Sequence, residues 1–171
     1  LLVLARQEAT AAVGTVARPV DLADLARRTV ADLAGVAAAK GVDVGIQHAD
    51  PATVEGQPDA LHILLRNLVD NAVKYTPAGG TADISVRTDT GKEGCTVTVT
   101  VEDSGPGIPP EERERVFDRF YRVAGSEAAG SGLGLAIIKA IAERHGATLA
   151  LGRSERLDGL AATVCFRQQA A

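Results

Sequence analysis

One stretch, Arg66-Asn67-Leu68-Val69-Asp70-Asn71-Ala72-Val73-Lys74-Tyr75, constrains this chain more than any other. It reads as the later half of a helix. At about 100° per residue, Leu61, Leu65, Leu68 and Ala72 fall on one face within an arc of roughly 60°. Asn67, Asn71 and Lys74 share a second arc of similar width, centred about 120° away. The first stripe needs a core to cover it. Two amides and an ammonium on the second either line a polar site or form an ordinary solvated face, and the helix alone leaves both open.

A chain of 171 residues can supply that core within one domain, with room for a short appendage. Its 46% hydrophobic and 23% charged content are those of an ordinary globular protein, and a net charge of -4 argues against a broad nucleic-acid surface. No apolar run is long enough to span a bilayer, and no signal-peptide pattern is present. Cys95 and Cys165 lack metal or redox spacing and read as reduced thiols in strands. The count of Met is 0, so the expectation is a piece of a longer protein.

Leu1 to Ala12 is helix-favouring but begins in mid-pattern, like the end of a helix, and Gly14 to Pro19 breaks it. Asp21 is a good N-cap for a helix to Lys40 with Leu22, Leu25, Val30, Leu33 and Val36 as its stripe, stopped by Gly41. Val42, Val44 and Ile46 alternate as a strand, and Val54-Glu55 adds a short one. Pro58 fits the first turn of the next helix, which ends at Thr76-Pro77-Ala78-Gly79-Gly80. Ala82 to Thr88 and Thr96 to Val101 form a hairpin across a Gly-Lys-Glu-Gly turn at 91–94. Periodicity is lost from Gly105 to Gly130. It returns in a helix from Leu133 to Arg144, closed by Gly146, and in strands from Thr148 to Leu151 and Leu160 to Phe166. Three helices and about five strands predict an α/β two-layer sandwich, a mixed sheet with the helices on one face.

Three places could carry chemistry. Val97, Val99 and Val101 point to one face, and Asp103 continues their parity, placing a carboxylate toward the core side where it needs a donor. Gly105 and Gly107 follow, so that something flat could approach the backbone; an acidic Gly-Pro turn is the plain alternative. Gly130-Ser131-Gly132-Leu133-Gly134-Leu135 opens the last helix, where small residues and exposed N–H groups favour anions. It is neither a Rossmann fingerprint, for want of a preceding strand, nor a P-loop, for want of Gly-Lys-Ser/Thr. A glycine hinge is the alternative. Phe117-Asp118-Arg119-Phe120-Tyr121-Arg122 holds three of the five aromatics on a long polar segment, which fits a lid or docking element, or a small satellite cluster. Arg119 and Arg122 could reach phosphate oxygens. His48, His62 and His145 sit beside no nucleophile or metal partner and read as surface or helix-end residues.

Taken together and in this order, the Asn-bearing helix, Asp-x-Gly-x-Gly, the Phe-rich segment and Gly-x-Gly-x-Gly resemble the catalytic ATP-binding domain of bacterial sensor histidine kinases. These belong with gyrase-type ATPases and heat-shock chaperones. The resemblance runs from about Val20 to Phe166 and implies a Bergerat-type sandwich with a flexible ATP lid at about 108–130. It makes residues 14–171 the catalytic domain and 1–13 the tail of a dimerisation and phosphoacceptor hairpin. It implies that Asn71 binds Mg²⁺ through its amide oxygen, as a hard ion prefers, that Asn67 supports that site, and that Lys74 contacts phosphate. Tyr75 would lie against adenine, Asp103 would accept from the adenine amine, and Gly105 and Gly107 would admit the base. Arg122, rather than Arg119, would meet the γ-phosphate. Gly130, Gly132, Leu133 and Gly134 would hold phosphates, and Ile108, Tyr121, Ser131, Leu135 and Thr163 complete the implied nucleotide set. Asn67, Lys74 and Arg122 form the implied catalytic group.

ATP-hydrolysing members and the related serine kinases generally place a Glu four residues before the Mg²⁺ Asn, as a base. Here that position is Asn67, and an amide cannot take a proton from water. An imidazole with an unprotonated attacking nitrogen needs no strong base, so the histidine kinase branch is expected over a stand-alone ATPase or serine kinase. Two departures stand out. The last glycine box, commonly Gly-x-Gly-Thr, appears as Gly159-Leu160-Ala161-Ala162-Thr163, and the phosphoacceptor His-Glu motif is absent. The substrate histidine is therefore expected upstream, on a dimerisation domain that Phe117 and Phe120 would dock, with a response regulator receiving the phosphoryl group. A homodimer anchored at the inner membrane, with this domain in the cytoplasm, is implied in the same way.

Overall fold

The computed structural model describes residues 16–91, 94–118 and 134–167, with backbone alone at 94 and 95. Leu1 to Ala12 lies outside them. A five-stranded mixed sheet has the order β2(Asp43–Ala49), β4(Thr81–Gly91), β5(Gly94–Asp103), β7(Leu160–Arg167), β6(Thr148–Arg153). Only β2 and β4 pair in parallel; the other neighbours are antiparallel. Three helices, α1(Leu22–Lys40), α2(Pro58–Tyr75) and α3(Gly134–Arg144), supply the apolar faces that pack on it. The expected two-layer sandwich is what forms.

The register explains which face is covered. Val97, Val99 and Val101 pair across β7 with Phe166, Val164 and Ala162, and all six are buried. Ile84 and Val86 of β4 continue the same face. Of the alternate residues, Thr96, Thr98, Thr100, Thr163 and Cys165 are half-exposed, on the side away from the helices. Cys165 is a free thiol.

The local signals behave as chemistry requires. Asp21 accepts from the N–H groups of Ala23 and Asp24 at 3.0 and 3.2 Å, a cap worth about 1 kcal/mol. Gly41 ends α1 in the left-handed region, at φ 82. Pro58 occupies the first turn of α2.

Two expectations need correction. The segment before Asp21 is not only a break: Arg18–Asp21 forms β1, which pairs antiparallel with β3(Thr53–Gly56) in a separate two-stranded ribbon. Only Val20 of β1 is buried, so no alternation could announce it. The apolar face of α2 is also wider than one stripe. Ala60, Leu64, Val69 and Val73 are buried along with Leu61, Leu65, Leu68 and Ala72, because α2 touches α1 on one flank and α3 on the other. Each fully buried leucine contributes about 1.5–3 kcal/mol.

Candidate functional site

The polar side of α2 leads into the site. Asn71 meets the start of α3: a Cβ added at Gly134 would stand 3.1 Å from both terminal atoms of its carboxamide. Glycine is thus what lets the first turn of α3 lie against this amide. Leu135 beside it packs on the core. Asn67, one turn earlier, donates from Nδ2 to the Ile63 carbonyl at 2.8 Å, which fixes the amide to its own helix and leaves Oδ1 and the second Nδ2 hydrogen as its remaining polar groups. Lys74 is exposed and pairs with Asp70 at 3.0 Å, so the described geometry gives its ammonium a carboxylate partner on the same helix.

The C-terminal end of α2 abuts the Asp103 turn. Asp103 is 4% exposed, and its Oδ1 accepts from Gly105 N at 2.9 Å and Leu160 N at 3.1 Å. Burial raises this carboxyl above the ordinary aspartate range, while the Leu160 and then the Gly105 N–H act in the opposite direction. No described residue donates to Oδ2, which leaves one buried acceptor of this carboxylate without a partner among the described residues. A Cβ on Gly105 would stand 2.7 Å from the Tyr75 carbonyl, so the turn closes on the end of α2. Tyr75 as a residue is 37% exposed. Gly107 adopts φ 74, and with Ile108, Arg113 and Gly159 it lines a cleft of about 330 Å³ next to this turn. The Ile108 carbonyl accepts from Arg113 Nε at 3.1 Å.

Sequence reasoning missed the groups that hold Asp103. The altered glycine box is one of them: a Cβ on Gly159 would lie 2.2 Å from the Asp103 carbonyl and 2.4 Å from its Oδ1. Gly159 therefore backs the carboxylate, and the next N–H, of Leu160, orients it. Thr163 is the corresponding correction. Strand parity carries it to the outer face, where its hydroxyl lies 3.4 Å from that of Thr100, opposite the side on which Asp103 continues the row of buried valines. A second missed group is Gly80, where a Cβ would meet Thr76 at 2.4 Å and the Ser104 hydroxyl at 2.6 Å. That hydroxyl accepts from Thr81 N at 2.9 Å, and Ser104 N donates to Thr81 O at 3.0 Å. The glycine between two turns was the available signal, but only tertiary contact shows what it accommodates.

Phe117 ends a 3₁₀ turn (Arg115–Phe117), half-buried, with Lys139 Nζ 5.7 Å from its ring centroid. Arg119, Phe120, Tyr121, Arg122, Gly130, Ser131, Gly132 and Leu133 lie outside the described residues. The three histidines are engaged as structural groups. His145 Nδ1 donates to the Ile141 carbonyl at 2.8 Å and its Nε2 accepts from Gln57 N at 3.1 Å, joining the end of α3 to the start of α2. His48 lies 2.6 Å from Asp50 and His62 3.1 Å from Asp32.

This arrangement can hold a flat base at one end and anionic groups at the other. From Tyr75 back to Asn71 the helix rises about 6 Å, and to Asn67 about 12 Å. The family model for histidine kinase-, DNA gyrase B-, and HSP90-like ATPases matches residues 56–170, more than half of the chain. The chain belongs to this ATPase family. Curated relatives of this ATPase domain include the sensor protein QseC of Escherichia coli K12, 38% identical over 138 residues, which cover 80% of this chain and 29% of QseC. The sensor protein kinase PmrB of Pseudomonas aeruginosa is 39% identical over 143 residues, 83% of this chain and 29% of PmrB. The chain thus spans less than a third of these relatives. Among solved structures, the mycobacterial sensor histidine kinase MprB superposes with a TM-score of 0.77 at 29% identity, over 91% of this chain and 100% of that one. The cytoplasmic segment of the histidine kinase QseC gives 0.69 at 26% identity, over 97% and 91%. No described helix is long and apolar enough to cross a membrane.

Proposed function

We propose that this chain is the ATP-binding kinase domain of a two-component sensor histidine kinase. It transfers the γ-phosphoryl group of Mg²⁺-ATP to a histidine on a dimerisation domain, for relay to a response regulator. The observation that carries the reading is a buried acceptor, Asp103, at one end of a helix that carries the amides of Asn71 and Asn67 one and two turns back from that end. Asn67 stands where a hydrolase places its base, and an amide offers no basic atom to take a proton from water; one of its two Nδ2 hydrogens is given to the Ile63 carbonyl. Water is then poorly activated, while a neutral imidazole attacks without deprotonation.

The residues fit a magnesium ion. Among the described residues no cluster of three His, Cys, Asp or Glu forms a cage, but Asn71 offers an amide oxygen beside the start of α3. A hard ion that keeps most of its waters and takes ligand phosphates asks for little more. When bound, it would neutralise charge on the phosphate oxygens. The chain's own part is positioning: Asp103 orients the base, Gly105 lets it approach, and Asn71 with the glycine-rich start of α3 fixes the phosphate end. Lys74, released from Asp70, and Arg122 supply further positive charge there. Phe117 and Phe120 dock the partner domain from the lid segment at 108–130, and residues 1–13 are assigned to the tail of that domain together with a linker. A membrane-anchored homodimer with this domain in the cytoplasm is part of the same proposal, and the likeness to the cytoplasmic segment of QseC supports the cytoplasmic placement.

The test is calorimetry of this chain with Mg²⁺-ATP, followed by incubation with labelled ATP, alone and with a separately supplied dimerisation domain. Binding, label on the partner's histidine only, and negligible turnover alone are expected. Label on His48, His62 or His145, or steady partner-free hydrolysis, would overturn the reading.

A further inference from the structure

An α-helix leaves its last four carbonyls without an intrahelical donor. In α2 these belong to Ala72, Val73, Lys74 and Tyr75. Many helices resolve this with a left-handed residue just past the end. Here Thr76 is extended, at φ -89 and ψ 124, and Pro77 follows, so that solution is closed. Thr76 serves Ala72 alone, through its N–H at 3.1 Å and its hydroxyl at 2.6 Å.

The next two carbonyls are taken by a residue from another helix. Lys40, at the last position of α1, donates from Nζ to Val73 O at 2.9 Å and also to Lys74 O. One ammonium thus caps two orphan acceptors and sets a positive charge on the negative end of the helix dipole. The same corner is joined by Gly79 N to Gly41 O at 2.7 Å and Asp43 N to Gly80 O at 2.9 Å. The fourth carbonyl, of Tyr75, is the one that Gly105 closes upon.

We infer that Lys40 is a positioning residue for the base-binding end of the site. By holding the last turn of α2 it sets where Tyr75 and Thr76 stand against Gly105, and through Gly105 N the direction of the Asp103 carboxylate. Lys40 touches no nucleotide in this role. The inference rests on the nucleotide reading proposed above, and it adds a determinant of adenine discrimination thirty-four positions distant from the carbonyl it caps.

The experiment measures the affinity of this chain for Mg²⁺-ATP and Mg²⁺-GTP, with urea unfolding of each variant. Lys40→Met keeps the apolar stem and removes the donors. It should weaken ATP about tenfold while changing GTP by no more than about twofold, so that the ATP-over-GTP preference falls about fivefold or more. Lys40→Arg should restore the preference to within about twofold. If Lys40→Met does not fold, Lys40→Leu, which likewise lacks donors, carries the same comparison. Lower stability with an unchanged preference would make Lys40 merely structural and overturn the inference. A wild-type chain that binds no ATP would instead overturn the nucleotide reading.

Discussion

Asp103→Asn is nearly isosteric and separates what the carboxylate does for a ligand from what it does for the fold. Asn can keep an oxygen at the Oδ1 position, where Gly105 N and Leu160 N donate at 2.9 and 3.1 Å. Those internal bonds survive, and the cost of burying a charge disappears. Native stability at neutral pH should therefore stay within about 1 kcal/mol of wild type, or rise. At the Oδ2 position an acceptor becomes a donor, which, on the proposed reading, would face the exocyclic amine of adenine, itself a donor. Losing a hydrogen bond to a charged group in a buried site costs about 1.5–3 kcal/mol, or roughly 10- to 150-fold in affinity. The assay is calorimetric titration with Mg²⁺-ATP beside urea unfolding between pH 3 and 8. The sign of the pH effect is defined. A carboxyl raised above its ordinary 3.8 binds its proton more tightly in the folded state. Wild-type stability then falls as pH rises from about 3.8 through the raised folded value. The Asn variant should lack that component. ATP affinity within about threefold of wild type would refute the assignment of Asp103 to the base, and a stability loss above about 3 kcal/mol would refute the claim that the carboxylate's charge is dispensable to folding.

Gly159→Ala should abolish measurable ATP binding and lower stability by about 2–4 kcal/mol, because the new methyl would lie 2.2 Å from the Asp103 carbonyl, a backbone atom that cannot move aside. Normal binding in calorimetry would show that the turn relaxes freely. Gly134→Ala makes a softer contact, 3.1 Å from a mobile carboxamide. Unfolding free energy should change by less than about 1 kcal/mol, since alanine also favours helix. Displacement of Asn71 should nonetheless reduce Mg²⁺-dependent ATP affinity about tenfold, read by titrations with Mg²⁺ and with EDTA. Asn71→Ala should remove the magnesium dependence outright in the same pair of titrations.

The sequence alone determined much of this protein. Residue parity from Val97 onward placed Asp103 on the core side before any fold was known, because side-chain direction in a strand alternates without regard to tertiary context. The helix of Asn67 and Asn71, its Pro58 start, the caps at Asp21 and Gly41 and the antiparallel pairing of β4 with β5 were legible for the same reason: each is set by neighbours within a few positions. What only the tertiary structure decided involves partners far apart. β1 exists because β3 pairs with it. Val69 and Val73 are buried because α1 and α3 flank α2. The last glycine box was legible only as a departure from the family's pattern, yet Gly159 and Leu160 N meet Asp103 from fifty-odd residues away, while Thr163 is carried by the same parity rule to the outer face. Lys40 was one cation among many until α1 came to rest beside α2. The opening helix thus keeps its two stripes, but its last turn is held from outside by an ammonium that no local pattern could reveal.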